Sequence, residues 1–300
     1  MPELPEVETM RRGLACVVGR RITAVEFPRS RVRPISVAPG PATLAARIVG
    51  RTIAAVHRRG KRIVLELPAR IARGDALWLA IEPRMTGLML LAEPPSAEHV
   101  RMVVRLAPAR GGPGRFLFWD RRGLGTIRLL DDRGLEAACG RRKIGPDGLT
   151  IEGRDLAAAL GRSRRAVKVA LLDQTAVAGI GNIYAAEILF HSRIDPRTPC
   201  HRLRADQWHD IASATRKILA AAVRLEGSSI GDETYRTVEA RPGRFQSRHR
   251  VYGRAGEPCR ACGAEIVRIV QTQRSTFYCP TCQRPVGQRG RTLARAARMP

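Results

Sequence analysis

Glu3, Glu6 and Glu8 fall within six residues, directly behind Pro2, in a chain whose formal charge is +26. Removal of Met1 would expose a secondary amine on Pro2. An α-amino group has a reference pKa of about 7.7 to 8.0, so a useful fraction is unprotonated near neutrality without burial. Such an amine can attack C1′ of a sugar, expel the base and leave an iminium, as a lysine does in a Schiff base. The iminium acidifies the C2′ proton, and elimination follows. Carboxylates are needed close by to protonate the opening ring and shuttle protons, which Glu3 and Glu6 can do from a first helical turn. Acidic residues equally suit an ordinary helix start, where they complement the dipole.

A second set of chemical groups is Cys259 and Cys262 in "CRAC" with Cys279 and Cys282 in "CPTC", 16 residues apart. Two such knuckles let four thiolates meet one tetrahedral ion. An odd total of seven cysteines with this pairing points to metal rather than disulfides. No His or carboxylate stands at a ligand position beside an open site, so the expected cofactor is one structural Zn2+ without water. The stretch "GAEIVRIVQTQRSTFY" alternates as a β-hairpin should and would present Arg274 to a phosphate backbone. In "AGIGNIY", two glycines ahead of a helix allow backbone amides to approach phosphate, with Asn182 at the helix start.

The elements that must position these groups change character midway. Val7, Met10, Leu14 and Val17 give one buried helical stripe that stops at Gly19. From "RRITAVEF" to "GTIRLL", short runs of period two predict a mostly antiparallel β domain ending near residue 132. "SRRAVKVALLDQ", "NIYAAEILFHS" and "DQWHDIASATRKILAAAVRLEG" read as helices, the last stopped by Gly227. Residues 228 to 257 show no sustained period and read as long loops.

Three hundred residues suffice for about two domains, and 53 Lys plus Arg against 27 Asp plus Glu, with a pI near 11.4, call for a polyanionic partner. The basic residues are spread along the chain, which favours nucleic acid over a membrane surface. No stretch reaches the ~20 apolar residues of a membrane span and the N-terminus lacks a signal peptide, so a cytoplasmic location is expected.

"MPELPEVET", "KRIVLEL" after "RRG", "RMTG", "DRRGLG", "KVALLDQTAVAGIGNIYAAEILF", "VYGRAGEPCRACG" and "QRSTFYCPTC" follow one another over nearly the whole chain. In this order they resemble the bacterial formamidopyrimidine-DNA glycosylases of the Fpg/Nei superfamily. The resemblance implies an α+β fold: a catalytic N-terminal helix plus antiparallel β-sandwich over 1–134 and a linker over 135–150. A helical DNA-binding domain with a helix-two-turn-helix and a lesion-capping loop would follow over 151–257, then a zinc β-hairpin over 258–283 and a basic tail over 284–300. It also implies a bifunctional enzyme, monomeric and nucleoid-associated. Such an enzyme flips an oxidised purine from damaged double-stranded DNA, removes it and cleaves the abasic strand by β,δ-elimination.

By that resemblance Pro2 is the nucleophile and Glu3 the general acid at the sugar, with Glu6 in support. Lys61 and Arg274 would grip phosphates at the lesion, and Lys168 and Asn182 the backbone of the flipped nucleotide. Met85 and Arg122 would fill the vacated stack, with Arg122 facing the orphaned cytosine. Three departures from the family pattern stand out. Leu124 takes the place of an aromatic wedge, Glu82 takes that of a phosphate-contacting His, and the 228–250 stretch has unfamiliar content. Leu124 and the unfamiliar 228–250 stretch motivate an alternative range of oxidised pyrimidines or hydantoins, as in the endonuclease VIII branch. A zinc-containing DNA-binding protein without catalysis is the reading from another class, and it predicts steep salt dependence and no strand cleavage.

Overall fold

The computed structural model describes residues 2–30, 32–69, 75–231 and 234–284, so that the expected basic tail, apart from Arg284, lies outside the described residues. Helix α1 (Leu4–Gly13) carries Pro5 in its first turn, where the missing N–H has no intrahelical partner to lose. Glu3 is its N-cap and closes a capping box with Glu6, whose Oε2 accepts the Glu3 N–H at 2.8 Å. Val7, Met10, Leu14 and Val17 are wholly buried, as their spacing predicts, but the α-helix ends at Gly13 and a 3₁₀ turn (Leu14–Val17) carries the last two, before Gly19 at φ +80° ends the run.

That stripe seals one end of a β-sandwich. Its strands are β1 (Ile22–Glu26), β2 (Ser36–Ala38), β3 (Ala55–Arg59), β4 (Arg62–Leu67), β5 (Leu77–Glu82), β6 (Gly87–Leu90), β7 (Val100–Leu106), β8 (Arg115–Asp120) and β9 (Thr126–Leu130), with helix α2 (Pro41–Ile48) between β2 and β3. They form a sheet ordered β1-β7-β8-β6 and another ordered β2-β9-β5-β4-β3. Every ladder is antiparallel except β2 with β9. Between the sheets Ile63, Leu65, Ile81, Met102, Phe116 and Phe118 join the α1 stripe in one core. Each such side chain contributes roughly 1.5–3 kcal/mol of burial.

Two sequence expectations change here. Residues 132–139, which straddle the start of the expected linker, form helix α3 (Asp132–Cys139). The acidic "DDRG" run is a helix start, with Asp131 accepting the Gly134 N–H at 2.7 Å. The helix expected across "SRRAVKVALLDQ" shrinks to α5 (Val167–Ala170), because Asp173 Oδ1 takes the N–H and hydroxyl of Thr175 at 3.1 and 2.7 Å and turns the chain.

The second core gathers α4 (Gly153–Leu160), α5, α6 (Asn182–His191) and α7 (Ala205–Arg224). In α7 the predicted face of Trp208, Ile211, Thr215, Ile218 and Ala222 is buried. Leu4 belongs to this helical core, one turn before Val7 enters the sandwich core, so α1 spans both domains.

After Gly227 (φ +79°), the described residues to 257 contain no strand or α-helix, only a 3₁₀ turn at Phe245–Arg248. The segment is nonetheless held. Tyr235 packs with Leu88, Leu117 and Trp119 of the sandwich, and the Val238 carbonyl accepts N–H groups of Leu91 and Ala92 at 2.9 and 3.1 Å. A stretch assigned from sequence to the helical domain therefore straps the two domains together.

The last hairpin, β10 (Val267–Gln271) and β11 (Arg274–Tyr278), turns through Thr272 and Gln273, both at positive φ, as a two-residue hairpin turn requires. Its lead-in is tied to α6, where buried Glu187 accepts the N–H groups of Arg250, Val251 and Tyr252 at 2.8, 3.0 and 2.8 Å. Among the described residues no helix is long and apolar enough to cross a membrane.

Candidate active site and phosphate-facing surface

The loop before α6 wraps the start of α1. The Leu4 N–H donates to the Gly179 carbonyl at 3.0 Å, which seats Pro2 and Glu3 in buried positions. Glu3 then caps a helix other than its own. Its carboxylate accepts the N–H of Gly181 at 2.7 Å, of Ile183 at 2.9 Å and of Tyr184 at 3.3 Å, the unpaired donors at the N-terminus of α6. That helix end is a natural seat for negative charge.

Glu6 lies one turn behind, wholly enclosed. Its Oε1 accepts the Tyr184 hydroxyl at 2.6 Å and the Ser228 N–H at 2.8 Å, while Oε2 takes the Glu3 N–H. Burial and the neighbouring Glu3 carboxylate push the Glu6 carboxyl above its ordinary range, and the three donors offset only part of this. Burial, with Glu6 next in weight, keeps the Tyr184 phenol protonated far above its ordinary range.

Three cations surround the carboxylates. Lys61, in the turn between β3 and β4, donates to the Ile180 carbonyl at 2.8 Å. Burial lowers its ammonium, and Glu3 pulls the other way. Lys168, fully buried on α5, donates to Asn182 Oδ1 at 2.5 Å, and Asn182 Nδ2 donates to the Ser275 carbonyl at 3.0 Å. Burial, followed by the positive charge of Arg274, brings Lys168 down to about 8. Arg274 stands exposed at the first position of β11 and depresses both lysines, which places it over the same cluster. Thus Glu3, Glu6, Lys61, Lys168, Asn182 and Arg274, picked from segments far apart in sequence, converge.

Glu8 is different. It takes Arg11, Arg12 and Arg58 at 2.9, 2.9 and 3.0 Å, and Arg58 continues to Asp147 at 2.7 Å. Its work is to tie α1 to the interdomain segment. The carboxylates at the N-terminus thus divide into two that face the cluster and one that braces the fold.

Met85, Arg122 and Leu124 form a second group, on two loops knotted by Asp120. The Asp120 carboxylate accepts the Thr86 hydroxyl at 2.5 Å, the Arg122 N–H at 3.2 Å and the Gly125 N–H at 2.7 Å. Met85 and Leu124 are half-buried and belong to no core cluster, whereas Arg122 is exposed. Met85 is therefore free of the core packing that a methionine usually serves. Glu82 is bracketed by Arg62 and Arg84, each at 3.0 Å, so its charge is matched within the protein.

Tyr184, Ser228 and Asp120 were not picked out from sequence. The signal for Tyr184 was the lone hydroxyl in the first turn of a helix, and for Asp120 a carboxylate opening a Gly-rich turn. Ser228 carried none.

The four cysteine sulfurs lie within 4.8 Å of one another, with Cys259–Cys282 at 3.9 Å and Cys262–Cys279 at 3.4 Å. A tetrahedron with Zn–S bonds of about 2.3 Å has edges of about 3.8 Å. The N–H groups of Ala261 and Cys282 point at the Cys259 and Cys279 sulfurs at 3.4 Å, the polarity a thiolate needs. The all-sulfur donor set fits one structural zinc.

A β-sandwich, a helical unit that presents a helix N-terminus, and a four-cysteine hairpin define a DNA-repair glycosylase of the base-excision class. Residues 1–127 match the Formamidopyrimidine-DNA glycosylase N-terminal domain, 144–234 its H2TH domain and 256–285 the zinc finger found in FPG and IleRS. The chain belongs to the formamidopyrimidine-DNA glycosylase family. It is 41% identical over 290 residues to the formamidopyrimidine-DNA glycosylase of Chloroflexus aurantiacus, covering 94% of this chain and 98% of that one. It is 39% identical to that of Solibacter usitatus, covering 95% and 100%. Its fold is similar to the MutM (FPG) protein of Thermus thermophilus (TM-score 0.80, 36% identity, 94% and 98% covered). It is equally similar to a Lactococcus lactis FPG mutant in complex with a Fapy-dG containing DNA (TM-score 0.80, 34% identity, 94% and 99% covered).

The tightness of the Glu3 seat is itself testable. A Cβ on Gly181 would meet the Glu3 carboxyl carbon at 2.3 Å, and Gly181 has an extended backbone, so the cost of Gly181→Ala is steric. The variant is expected to fold, displace Glu3 from α6 and lose base excision by about 10²-fold or more. Single-turnover excision beside a thermal melt checks this.

Proposed function

We propose that this glycosylase is bifunctional and uses the Pro2 amine. The observation that carries the reading is the Glu3 carboxylate seated at the N-terminus of α6 directly beside Pro2, with buried Glu6 behind it. The amine adds to C1′ as the N-glycosidic bond breaks, and the departing base takes up the proton that the amine nitrogen loses. Glu3 protonates O4′ as the ring opens to the iminium. Loss of the C2′ proton then expels the 3′ phosphate, and loss of the C4′ proton the 5′ phosphate.

In this reading Lys61, Lys168, Asn182 and Arg274 hold phosphates around the flipped nucleotide. Met85, Leu124 and Arg122 enter the gap in the duplex, where wedging side chains offset an unstacking cost of a few kcal/mol. The substrate is damaged double-stranded DNA carrying 8-oxoguanine opposite cytosine or a formamidopyrimidine, bound by a monomer in the bacterial cytoplasm.

Borohydride trapping tests the reading. Met1-processed protein is expected to give a covalent adduct with 8-oxoguanine and abasic duplexes alike, weakened in Pro2→Gly. Absence of any adduct would overturn it. Leu124 fills volume without an aromatic face, which favours the alternative substrates, oxidised pyrimidines or hydantoins. A panel of single-lesion duplexes decides, since strong preference for 8-oxoguanine ends that alternative.

Lys168 supplies an independent check. At pH 8 about half of it is neutral in the free protein, because burial and Arg274 hold its pKa at about 8. A phosphate partner favours the charged form, so binding takes up about half a proton at pH 8 and almost none below pH 7. Calorimetry in two buffers of different ionisation enthalpy measures this uptake, which Lys168→Met should abolish.

A further inference from the structure

Behind Glu6 the hydrogen bonds continue inward. The Tyr184 hydroxyl, 2.6 Å from Glu6 Oε1, is also 3.3 Å from Ser228 Oγ, and Ser228 Oγ is 3.1 Å from His249 Nε2. All four residues are buried, and no step of the proposed reaction uses Ser228 or His249. The Tyr252 backbone favours the protonated His249 ring, as a carbonyl facing a ring N–H does.

We propose that His249 is a positioning residue that keeps the proton on Glu6, acting through Ser228 and Tyr184. With the ring proton on Nδ1 committed to Tyr252, Nε2 offers only a lone pair. The Ser228 hydroxyl donates to it and turns its own lone pairs toward Tyr184. Tyr184 donates to Glu6 Oε1 when Glu6 is a carboxylate; once Glu6 is protonated the phenol turns to donate to Ser228, and its oxygen accepts the carboxyl proton. The chain of donors runs one way, from Glu6 to His249, and it favours the neutral carboxylic acid. Backbone N–H groups of Glu3 and Ser228 still fill the remaining lone pairs of Glu6.

The electrostatics agree with that direction. Glu6 is faced by the Glu3 carboxylate, Lys61, Tyr184 and Tyr235, and burial with Glu3 raises it. His249 is faced by Tyr252 and Arg260, and burial holds it at about 4, so it stays a neutral acceptor across the working pH range. Two carboxylates in contact are thereby given different jobs. Glu3, at the N-terminus of α6, exchanges its proton with the sugar in the proposed reaction, and Glu6, at the head of the chain, keeps its own.

The inference rests on the reading of the Glu3–Glu6 site, and its test therefore includes a readout independent of turnover. The buried, protonated carboxyl of Glu6 is followed by difference infrared spectroscopy of the C=O stretch against pH in the full-length zinc-loaded protein, with Glu6→Gln assigning the band. Ser228→Ala and His249→Leu are each expected to move its titration midpoint down by about half to one pH unit, and Ser228→Thr to restore it. The high-pH limb of the single-turnover rate should move down with it. An unchanged midpoint in both folded variants would overturn the proposal. Slower excision without a midpoint shift would overturn it too, by reducing His249 to a packing role. A shifted midpoint in a protein that forms no borohydride adduct would leave the proton chain standing and remove only the amine mechanism.

Discussion

Glu3→Gln is expected to separate base excision from the proposed cleavage of the abasic strand. Excision of a damaged base should fall by about 10²–10⁴-fold, the ordinary contribution of a positioned acid, because a neutral amide can neither give nor take the proton at O4′. Cleavage of a preformed abasic site should fall far less, since the base has already gone and the aldehyde is open to the amine. The structure adds a second expectation. Glu3 fills both oxygens with N–H donors of Gly181, Ile183 and Tyr184. A glutamine must set its own NH₂ against one of them, leaving a buried donor unpaired at about 1–3 kcal/mol. The melting temperature should therefore drop by a few degrees while the fold persists. Excision and abasic cleavage assayed on one preparation, with a melt, test all three statements. Equal losses on both substrates would show that Glu3 serves the amine rather than the ring opening at O4′.

Removing the metal is expected to be the other severe change. Structural zinc sites contribute roughly 10–16 kcal/mol of folding free energy to small units. Cys279→Ser should unfold the hairpin, and the damage reaches beyond Arg274. Asn182 Nδ2 donates to the Ser275 carbonyl at 3.0 Å, and Lys168 lies 3.5 Å from the same oxygen, so both lose their brace. DNA affinity should fall by at least about 10²-fold, and the salt dependence of binding should flatten by about one to three units, one for each phosphate no longer held. The sandwich, with its own core, should survive. Zinc content, salt-titrated binding and near-ultraviolet circular dichroism check these points. An unchanged slope would mean that the hairpin holds no phosphate.

The sequence made parts of this site readable for identifiable reasons. Paired cysteines announce a tetrahedron because spacing alone decides whether four sulfurs can meet. The α7 face is readable because one long helix carries its own period. Glycines before Asn182 mark a helix start that a ligand or side chain can approach. What lay hidden were contacts between distant segments. Nothing near residue 3 states that Glu3 will cap a helix beginning at residue 182. Nothing near Glu82 discloses that Arg62 and Arg84 will neutralise it, although opposite charges two residues apart were a hint. Leu4 reads as one more apolar residue of an N-terminal helix, yet it packs in the second domain. The Tyr235 strap was hidden because a segment without period gives no sign of where it docks.

The place of Leu4 and its neighbours bears on how the enzyme is made. Pro2 and Glu3 emerge first during synthesis, but the loop that encloses them, at residues 179–184, is about 180 residues later, and Ser228 later still. At about 5–20 residues per second, the N-terminus waits on the order of ten seconds or more before its enclosure exists. Trimming of Met1 has that interval as its natural window, because Pro2 is buried once the second domain closes. On the proposed amine mechanism, the order of translation thus leaves Pro2 open to processing before the fold encloses it.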